Sequence, residues 1–243
     1  PLRAAVTETL AGGDQCILFL NRRGFSTQIF CFECGFAERC PSCDVALVYH
    51  ADGNCLRCHY CDHRKLPPEQ CGGCGSPDTA LLGMGTQRLE EEVRSLFPQA
   101  RIARMDRDTA QKRGYVESVL AGLRAGELDI LIGTQMVAKG HDLPGVRLVG
   151  VVVADLGLHM PDFRAAERTF QLLTQVAGRA GRAETPGRVI LQTYVPEHYA
   201  IRPVRRHDYE SFYREELGHR AALGYPPFGG ITQVMVSGEG AED

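Results

Sequence analysis

The sequence has no apolar run near the roughly 18 residues that span a bilayer. Its first residues lack the charged, apolar and small-residue succession of a signal peptide. Together these argue against a membrane protein and against a secreted, disulfide-stapled domain. Lysine is scarce, with three residues against 24 arginines. Arginine suits bidentate phosphate contacts, but genome composition produces the same bias, so it carries little weight. Nor is there a strong excess of one charge: 27 basic and 30 acidic residues give a net charge of −3. That balance neither demands nor excludes nucleic acid, because a basic groove can be diluted by an acidic remainder.

What is present is a chain of 243 residues, 44% hydrophobic, enough for one sizeable core and a small satellite module or for two modest domains. It opens Pro-Leu-Arg without an initiator Met and stops at Gly-Glu-Gly-Ala-Glu-Asp after a strand-like run, so an excised piece of a longer protein is expected. Strand-like runs are read at Gln15–Leu20, Arg101–Met105, Asp129–Ile132, Val146–Val153 and Val189–Tyr194. Helical spacing is read from Thr86 through Leu89, Val93 and Leu96 to Pro98, over Thr109–Leu123, and over Arg164–Val176. Alternation of strands and helices predicts an α/β fold with a parallel sheet and crossover helices. Residues 1–30 and 75–198 read as that domain and 31–74 as an insertion after its first strand and the loop Asn21-Arg22-Arg23-Gly24. Residues 199–243, with a charged helix, Tyr225-Pro-Pro-Phe-Gly-Gly and a strand-like Ile231–Val236, read as a linker and the start of a further domain.

Cysteine is almost confined to the insertion. Eight of the ten form four Cys-x-x-Cys pairs: Cys31/Cys34, Cys40/Cys43, Cys58/Cys61 and Cys71/Cys74. Two thiolates at this spacing sit on one tight turn and can take adjacent corners of a tetrahedron about 2.3 Å from Zn²⁺, so four pairs suit two closed, structural Cys₄ sites. A single pair would leave redox chemistry open; four in a compact block argue against it. The 14 residues between Cys43 and Cys58 make a comfortable hairpin, which favours one site of Cys40, Cys43, Cys58 and Cys61 nested inside another of Cys31, Cys34, Cys71 and Cys74. A sequential pairing remains the tighter alternative, since Gly35–Arg39 would have to wrap one ion. Cys16 reads as a small core hydrophobe, Cys55 as a spectator, and His50, His59 and His63 as surface residues although each could ligate.

Two further motifs concern phosphate. Gln175-x-x-Gly178-Arg179-x-x-Arg182 closes a helix, and its two arginines, three apart, suit the γ-phosphate of a nucleotide held by a facing domain. Upstream, Gly133-Thr134-Gln135 through Lys139-Gly140-His141-Asp142 follows a buried strand, where functional loops of open α/β sheets lie. Either alone has a bland reading as solvated helix-end arginines or an ordinary strand-to-helix turn. Their order, separated by a buried strand, carries the inference.

With these motifs, Phe19-Leu-Asn-Arg-Arg-Gly-Phe25 and the eight-cysteine insertion between them, the chain resembles the PriA family of superfamily 2 helicases from about Cys16 to Val236. The resemblance implies a RecA-like second motor lobe with an inserted double-Cys₄ zinc module, and the nested pairing. It implies ATP-driven 3′→5′ DNA unwinding and replication restart at forks and D-loops by primosome assembly. Arg179 and Arg182 match the arginines of motif VI, with Gln175 their companion, and Thr134, Gln135, Gly140 and Asp142 fall on motif V, which couples nucleotide to DNA. Implied cofactors are two structural Zn²⁺, with ATP and Mg²⁺ in the complete protein. Implied partners are forks, D-loops, single-stranded DNA, primosome proteins and single-stranded-DNA-binding protein, in a cytoplasmic, nucleoid-associated setting. The sequence departs from the family in reading Gly85-Thr86-Gln87-Arg88 where an acid stands at the third position. It holds neither a Gly-x-x-x-x-Gly-Lys-[Ser/Thr] loop nor an Asp-Glu-x-His motif, which lie on the first lobe, so this chain alone is not expected to hydrolyse ATP. A non-catalytic, zinc-bearing DNA or protein platform is the alternative. DNA contacts are read at Arg22, Arg23 and Arg88, and on the insertion at Arg39, Arg57 and Arg64.

Overall fold

In a parallel sheet covered on both faces, successive side chains of each strand must enter opposite apolar layers. Residues 15 to 19 do this, with Ile17 and Phe19 entering one core and Cys16 and Leu18 the other. The structure, a computed structural model, describes residues 1–20, 28–81, 86–134, 137, 143–178, 187–232 and 234. Their elements run α1 (Leu2–Ala11), β1 (Gln15–Phe19), β2 (Ile29–Cys31), β3 (Val48–His50), β4 (Cys55–Arg57), β5 (Arg64–Lys65), β6 (Thr79–Leu81), α2 (Thr86–Leu96), β7 (Ile102–Met105), α3 (Tyr115–Arg124), β8 (Ile130–Gly133), β9 (Val146–Val151), α4 (Ala165–Ala177), β10 (Arg188–Leu191) and α5 (Tyr209–Leu223).

The central sheet has the order β10-β9-β1-β8-β7, and every pair is parallel. Leu2, Ala5 and Val6 of α1 and Leu89 and Val93 of α2 close one face over Cys16, Leu18, Ile130, Ile132 and Leu148. Leu120 and Leu123 of α3 and Phe170, Leu173 and Val176 of α4 close the other over Ile17, Phe19, Met105, Leu131 and Val149. Cys16 is wholly buried in the first layer, and burial pushes its thiol up to about 12. A Cβ at position 150 would stand 2.5 Å from Leu2 Cδ1 and 3.0 Å from Leu18 Cδ2, so glycine there lets the Leu2 side chain of α1 lie directly on β9. Gln15 fastens the amino end of β1, its Nε2 donating to the Leu123 and Leu128 carbonyls at 2.6 and 2.7 Å.

The α/β fold with a parallel sheet is therefore as expected. Two local readings are corrected. The helix read over Thr109–Leu123 is a 3₁₀ turn at Thr109–Gln111 and then α3, because Gly114 adopts φ +75° and restarts the chain. Helix α1 was not read at all, although Leu2, Ala5 and Val6 recur at helical spacing. Of the strand-like Ile231–Val236, residues 231, 232 and 234 lie outside any strand and the others outside the described residues. Among the described residues no helix is long and apolar enough to cross a membrane.

Residues 29 to 81 form a satellite. Antiparallel β2 and β6 close its neck, and β3, β4 and β5 form a small antiparallel sheet over Val45, Leu47 and Leu56. It docks on the central domain through aromatic edges. Phe30 meets His159 and Tyr194 edge-on, each with centroids 5.3 Å apart. Gly35, at φ +74°, lies where a Cβ would collide with the Tyr194 Cβ. A cavity of about 540 Å³ remains at the junction, lined in part by Arg39, His159, His198 and Tyr225.

His159 is buried there, and neither ring nitrogen has a hydrogen-bond partner among the described residues. Burial, then Arg39 and His198, lower its pKa to about 4 against the pull of the Gly35 backbone. Since the folded value lies below the ordinary 6.5, stability is full above pH 6.5 and is lost as pH falls toward 4. His159→Leu should cost only about 1 kcal/mol at pH 7, since it loses the aromatic edge to Phe30 but removes two buried ring nitrogens without a well-formed hydrogen bond. It should remove about 2 kcal/mol of the destabilisation between pH 7 and 5. Urea unfolding in zinc-containing buffer at the two pH values measures this, and parallel losses in variant and parent would refute it.

Candidate functional site

The satellite is built from one backbone unit used four times. In each Cys-x-x-Cys pair the amide two residues past the second cysteine's predecessor turns back, so that Gly35, Asp44, Asp62 and Gly75 donate to the carbonyls of Cys31, Cys40, Cys58 and Cys71 at 2.9, 2.9, 3.0 and 2.9 Å. The first cysteine of each pair donates in turn to the carbonyl of Phe36, Val45, His63 or Ser76 at 2.8 to 2.9 Å. Closing so tight a loop requires a left-handed residue directly after the second cysteine. All four occupy that region, at φ +74°, +49°, +60° and +74°. The outer pairs use glycine and the inner pairs aspartate.

The two aspartates do more than turn. Arg39 Nε donates to Asp44 at 2.7 Å, and Arg57 Nε donates to Asp62, so each inner unit is clasped by the arginine preceding its first cysteine. The Arg64 and Arg57 guanidiniums hold the Asp62 carboxyl below the usual range. The sequence carries this signal as Arg-Cys-x-x-Cys-Asp, at 39–44 and again at 57–62, and it was not read. Arg39, Arg57 and Arg64, read as phosphate contacts, are all engaged in these ion pairs.

The sulfurs fall into two groups, Cys31, Cys34, Cys71 and Cys74, and Cys40, Cys43, Cys58 and Cys61, with ligand atoms in each within 4.8 Å of one another. This is the nested grouping. Cross-pair Sγ separations are 3.7 Å for Cys31–Cys74, 3.6 Å for Cys34–Cys71 and 3.5 Å for Cys40–Cys61. A tetrahedron with bonds of about 2.3 Å has edges of about 3.8 Å, whereas a disulfide bond is about 2.05 Å. Both groups therefore fit a structural zinc ion bound by four thiolates, with no position left for water. Cys55 belongs to neither. Tyr225, beyond α5, donates its hydroxyl to the Cys43 carbonyl at 2.6 Å and so ties the inner cysteine group to the segment after α5.

The phosphate motifs are only partly described. Thr134 follows the carboxyl end of β8, its amide reaching the Met105 carbonyl at 3.4 Å beside the end of β7. Gln175 is exposed in the last turn of α4. Arg88 is exposed in the first turn of α2, beside buried Leu89. Arg22, Arg23, Gln135, Gly140, Asp142, Arg179 and Arg182 lie outside the described residues. An anchor missed in the sequence holds this edge. Buried Asp106, at the end of β7, accepts the Thr86 hydroxyl at 2.5 Å and the Thr109 amide at 3.0 Å, with Arg104 at 3.4 Å. Burial opposes its charge, but these donors win and lower its pKa. It thereby fixes the start of α2, and with it Gln87 and Arg88, to the carboxyl edge of the sheet.

Purified protein should carry two zinc ions and release both, with eight thiols, on treatment with a mercurial; elemental analysis with a thiol assay would sink the Cys₄ assignment by finding one zinc or none. Asp106→Ala leaves the buried Thr86 hydroxyl and the half-buried Thr109 amide unpaired and should cost about 2–3 kcal/mol in urea unfolding. A loss below 1 kcal/mol would show that water replaces the carboxylate.

Comparison with known proteins gives two matching family models. Residues 40–65 match the PriA DNA helicase Cys-rich region domain, and residues 79–184 the helicase conserved C-terminal domain. The replication restart protein PriA of Bacillus subtilis (strain 168) is 51% identical over 238 residues, covering 98% of this chain and 30% of that protein. PriA of Haemophilus influenzae is 46% identical over 228 residues, covering 94% and 31%. The chain thus spans about 30% of the length of these relatives. The crystal structure of the Pyrococcus furiosus Hef helicase domain aligns at TM-score 0.36 and 18% identity over 79% of this chain and 24% of that one, a likeness too slight to carry an argument. On the Cys-rich region, the helicase domain and these identities over nearly the whole of this chain, the chain belongs to the PriA replication restart protein family.

Proposed function

We propose that this chain is the second motor lobe and zinc module of an ATP-driven 3′→5′ DNA helicase that binds forks and D-loops and restarts replication by assembling a primosome. The observation that carries the reading is the helicase C-terminal match over 79–184, which contains Thr134, Gln135, Gly140, Asp142, Gln175, Arg179 and Arg182 in their expected order. In this reading residues 1–30 and 75–198 are the lobe, 31–74 the zinc insertion, and 199–243 the linker and start of a further domain. ATP and Mg²⁺ are held by a first lobe that supplies the phosphate-cradling loop. Arg179 and Arg182 then reach the γ-phosphate and stabilise the charge that develops during transfer, with Gln175 positioning them. Thr134, Gln135, Gly140 and Asp142 relay the nucleotide state to bound DNA.

Arg22, Arg23 and Arg88 are proposed to meet the phosphodiester backbone, without base reading. The cellular setting is the bacterial cytoplasm, at the nucleoid. Primosome proteins and single-stranded-DNA-binding protein are the proposed protein partners.

The test is DNA-stimulated ATPase and fork unwinding by the complete protein, with Arg179→Ala and Arg182→Ala. Each variant should lose about 10³-fold or more in ATP turnover, while zinc content and fork binding stay near those of the parent. A parent that binds forks but hydrolyses no ATP would instead favour a non-catalytic platform, and ATPase retained in both variants would remove the arginines from the mechanism. The isolated chain is expected to hydrolyse no ATP in the same assay.

A further inference from the structure

Outside the two Cys₄ groups, the satellite brings two imidazoles into unusual proximity. His50 ends β3 and His59 lies inside the Cys58–Cys61 turn, and their Nε2 atoms stand 3.1 Å apart, one ring donating its N–H to the other. The rings are tilted by 57°, with centroids 5.3 Å apart. His59 is exposed and His50 half-buried, so the pair faces solvent. Neither histidine has a role in the zinc sites, whose eight ligands are all thiolates.

We propose that His50 and His59 form a third metal site, an open chelate for a borderline divalent transition ion such as Ni²⁺ or Zn²⁺. With metal–nitrogen bonds of about 2.05 Å, a 3.1 Å separation subtends an angle of about 98° at the ion. That lies between the cis angle of an octahedron and the tetrahedral angle, so both nitrogens can bind at this separation once the ion replaces the proton they share and each ring turns its lone pair onto it. Imidazole nitrogen suits Ni, Cu and Zn in preference to Mg or Ca. Among the described residues no third histidine, cysteine or carboxylate joins the pair to make a larger ligand group. The remaining positions therefore belong to water or to a donor from outside the module, which makes the site exchangeable where the Cys₄ sites are closed.

The pair is held in place before any ion arrives. β3 is hydrogen-bonded to β4 in the register His50↔Cys55. The connecting turn is fixed by the Asn54 amide on the Ala51 carbonyl and by the Tyr49 hydroxyl on Asn54 Oδ1 at 3.1 Å. On the other side, His59 rides on a turn closed by the Asp62 amide on the Cys58 carbonyl, so the inner zinc site presets its backbone. Ordering the ligands is a large part of the cost of a two-ligand site, and here it is met by the fold.

The experiment is Ni²⁺ titration of the zinc-loaded protein by calorimetry, with zinc measured in the filtrate. The parent should bind one Ni²⁺ while keeping both zinc ions, and His50→Gln and His59→Gln should each weaken that binding about tenfold or more. His50 lies outside all four cysteine turns, so His50→Gln decides the matter even if His59→Gln releases structural zinc. Absence of Ni²⁺ binding in the parent, displacement of zinc by Ni²⁺, or binding unchanged in His50→Gln would each overturn the proposal.

Discussion

The satellite depends on one demand: four thiolates must be brought within bonding distance of a single cation, twice. No apolar core of its size meets the cost of ordering the backbone of residues 29–81 unaided. Its buried aliphatic centre is little more than Val45, Leu47 and Leu56 beside Cys40 and Cys58. Zinc ligation, which both cysteine groups fit, would supply the missing stability, because the ligand set does not exist in the unfolded chain and metal binding there is folding. The constraint propagates outward. Each pair must turn within two residues, which forces a left-handed residue at 35, 44, 62 and 75. Where that residue is aspartate, the strain of a non-glycine αL conformation is offset by an arginine that clasps it.

The central domain obeys a different constraint, two-sided burial, and was the more legible for it. Strands β1, β8 and β9 are buried throughout or nearly so, which yields uninterrupted apolar runs that stand out in a sequence. Helix α1 escaped notice because it buries only Leu2, Ala5 and Val6 and begins one residue into the chain. The false continuation of α3 toward Thr109 arose because Tyr115, Val119 and Leu123 repeat at helical spacing and the pattern alone does not reveal where Gly114 adopts positive φ.

The metal ligands were legible because a Cys-x-x-Cys spacing encodes its own geometry. Asp106 was not, since one aspartate after a strand looks like any loop residue until Thr86, twenty positions earlier, is folded against it. The arginines of the insertion show the same limit from the other side. Arg39 and Asp44, or Arg57 and Asp62, are five apart and fit neither a helix nor a strand register. They meet only because the intervening Cys-x-x-Cys turn reverses the chain. Each of these charges is thus paired with an aspartate while its side chain stays well exposed.

The contacts beyond the central domain give that module a mechanical connection. Tyr225 stacks on Phe163 at 5.0 Å and donates to the Cys43 carbonyl, while the Tyr60 hydroxyl accepts from the Phe163 amide at 3.2 Å. Arg220 of α5 lies over the same Phe163 ring and bonds Glu167 of α4 at 2.7 Å and Glu216 at 2.7 Å. Phe163 lies one residue before Arg164, the N-cap of α4, the helix that carries Gln175 in its last turn and ends at Ala177. One aromatic ring is therefore shared by the inner cysteine group, the helix leading to the arginine motif, and α5. Each of these contacts is small, but they are not independent: shifting Phe163 disturbs the Tyr60, Tyr225 and Arg220 contacts together. A displacement of the satellite is accordingly resisted by both helices at once, and the module sits on the domain as a braced part rather than a tethered one.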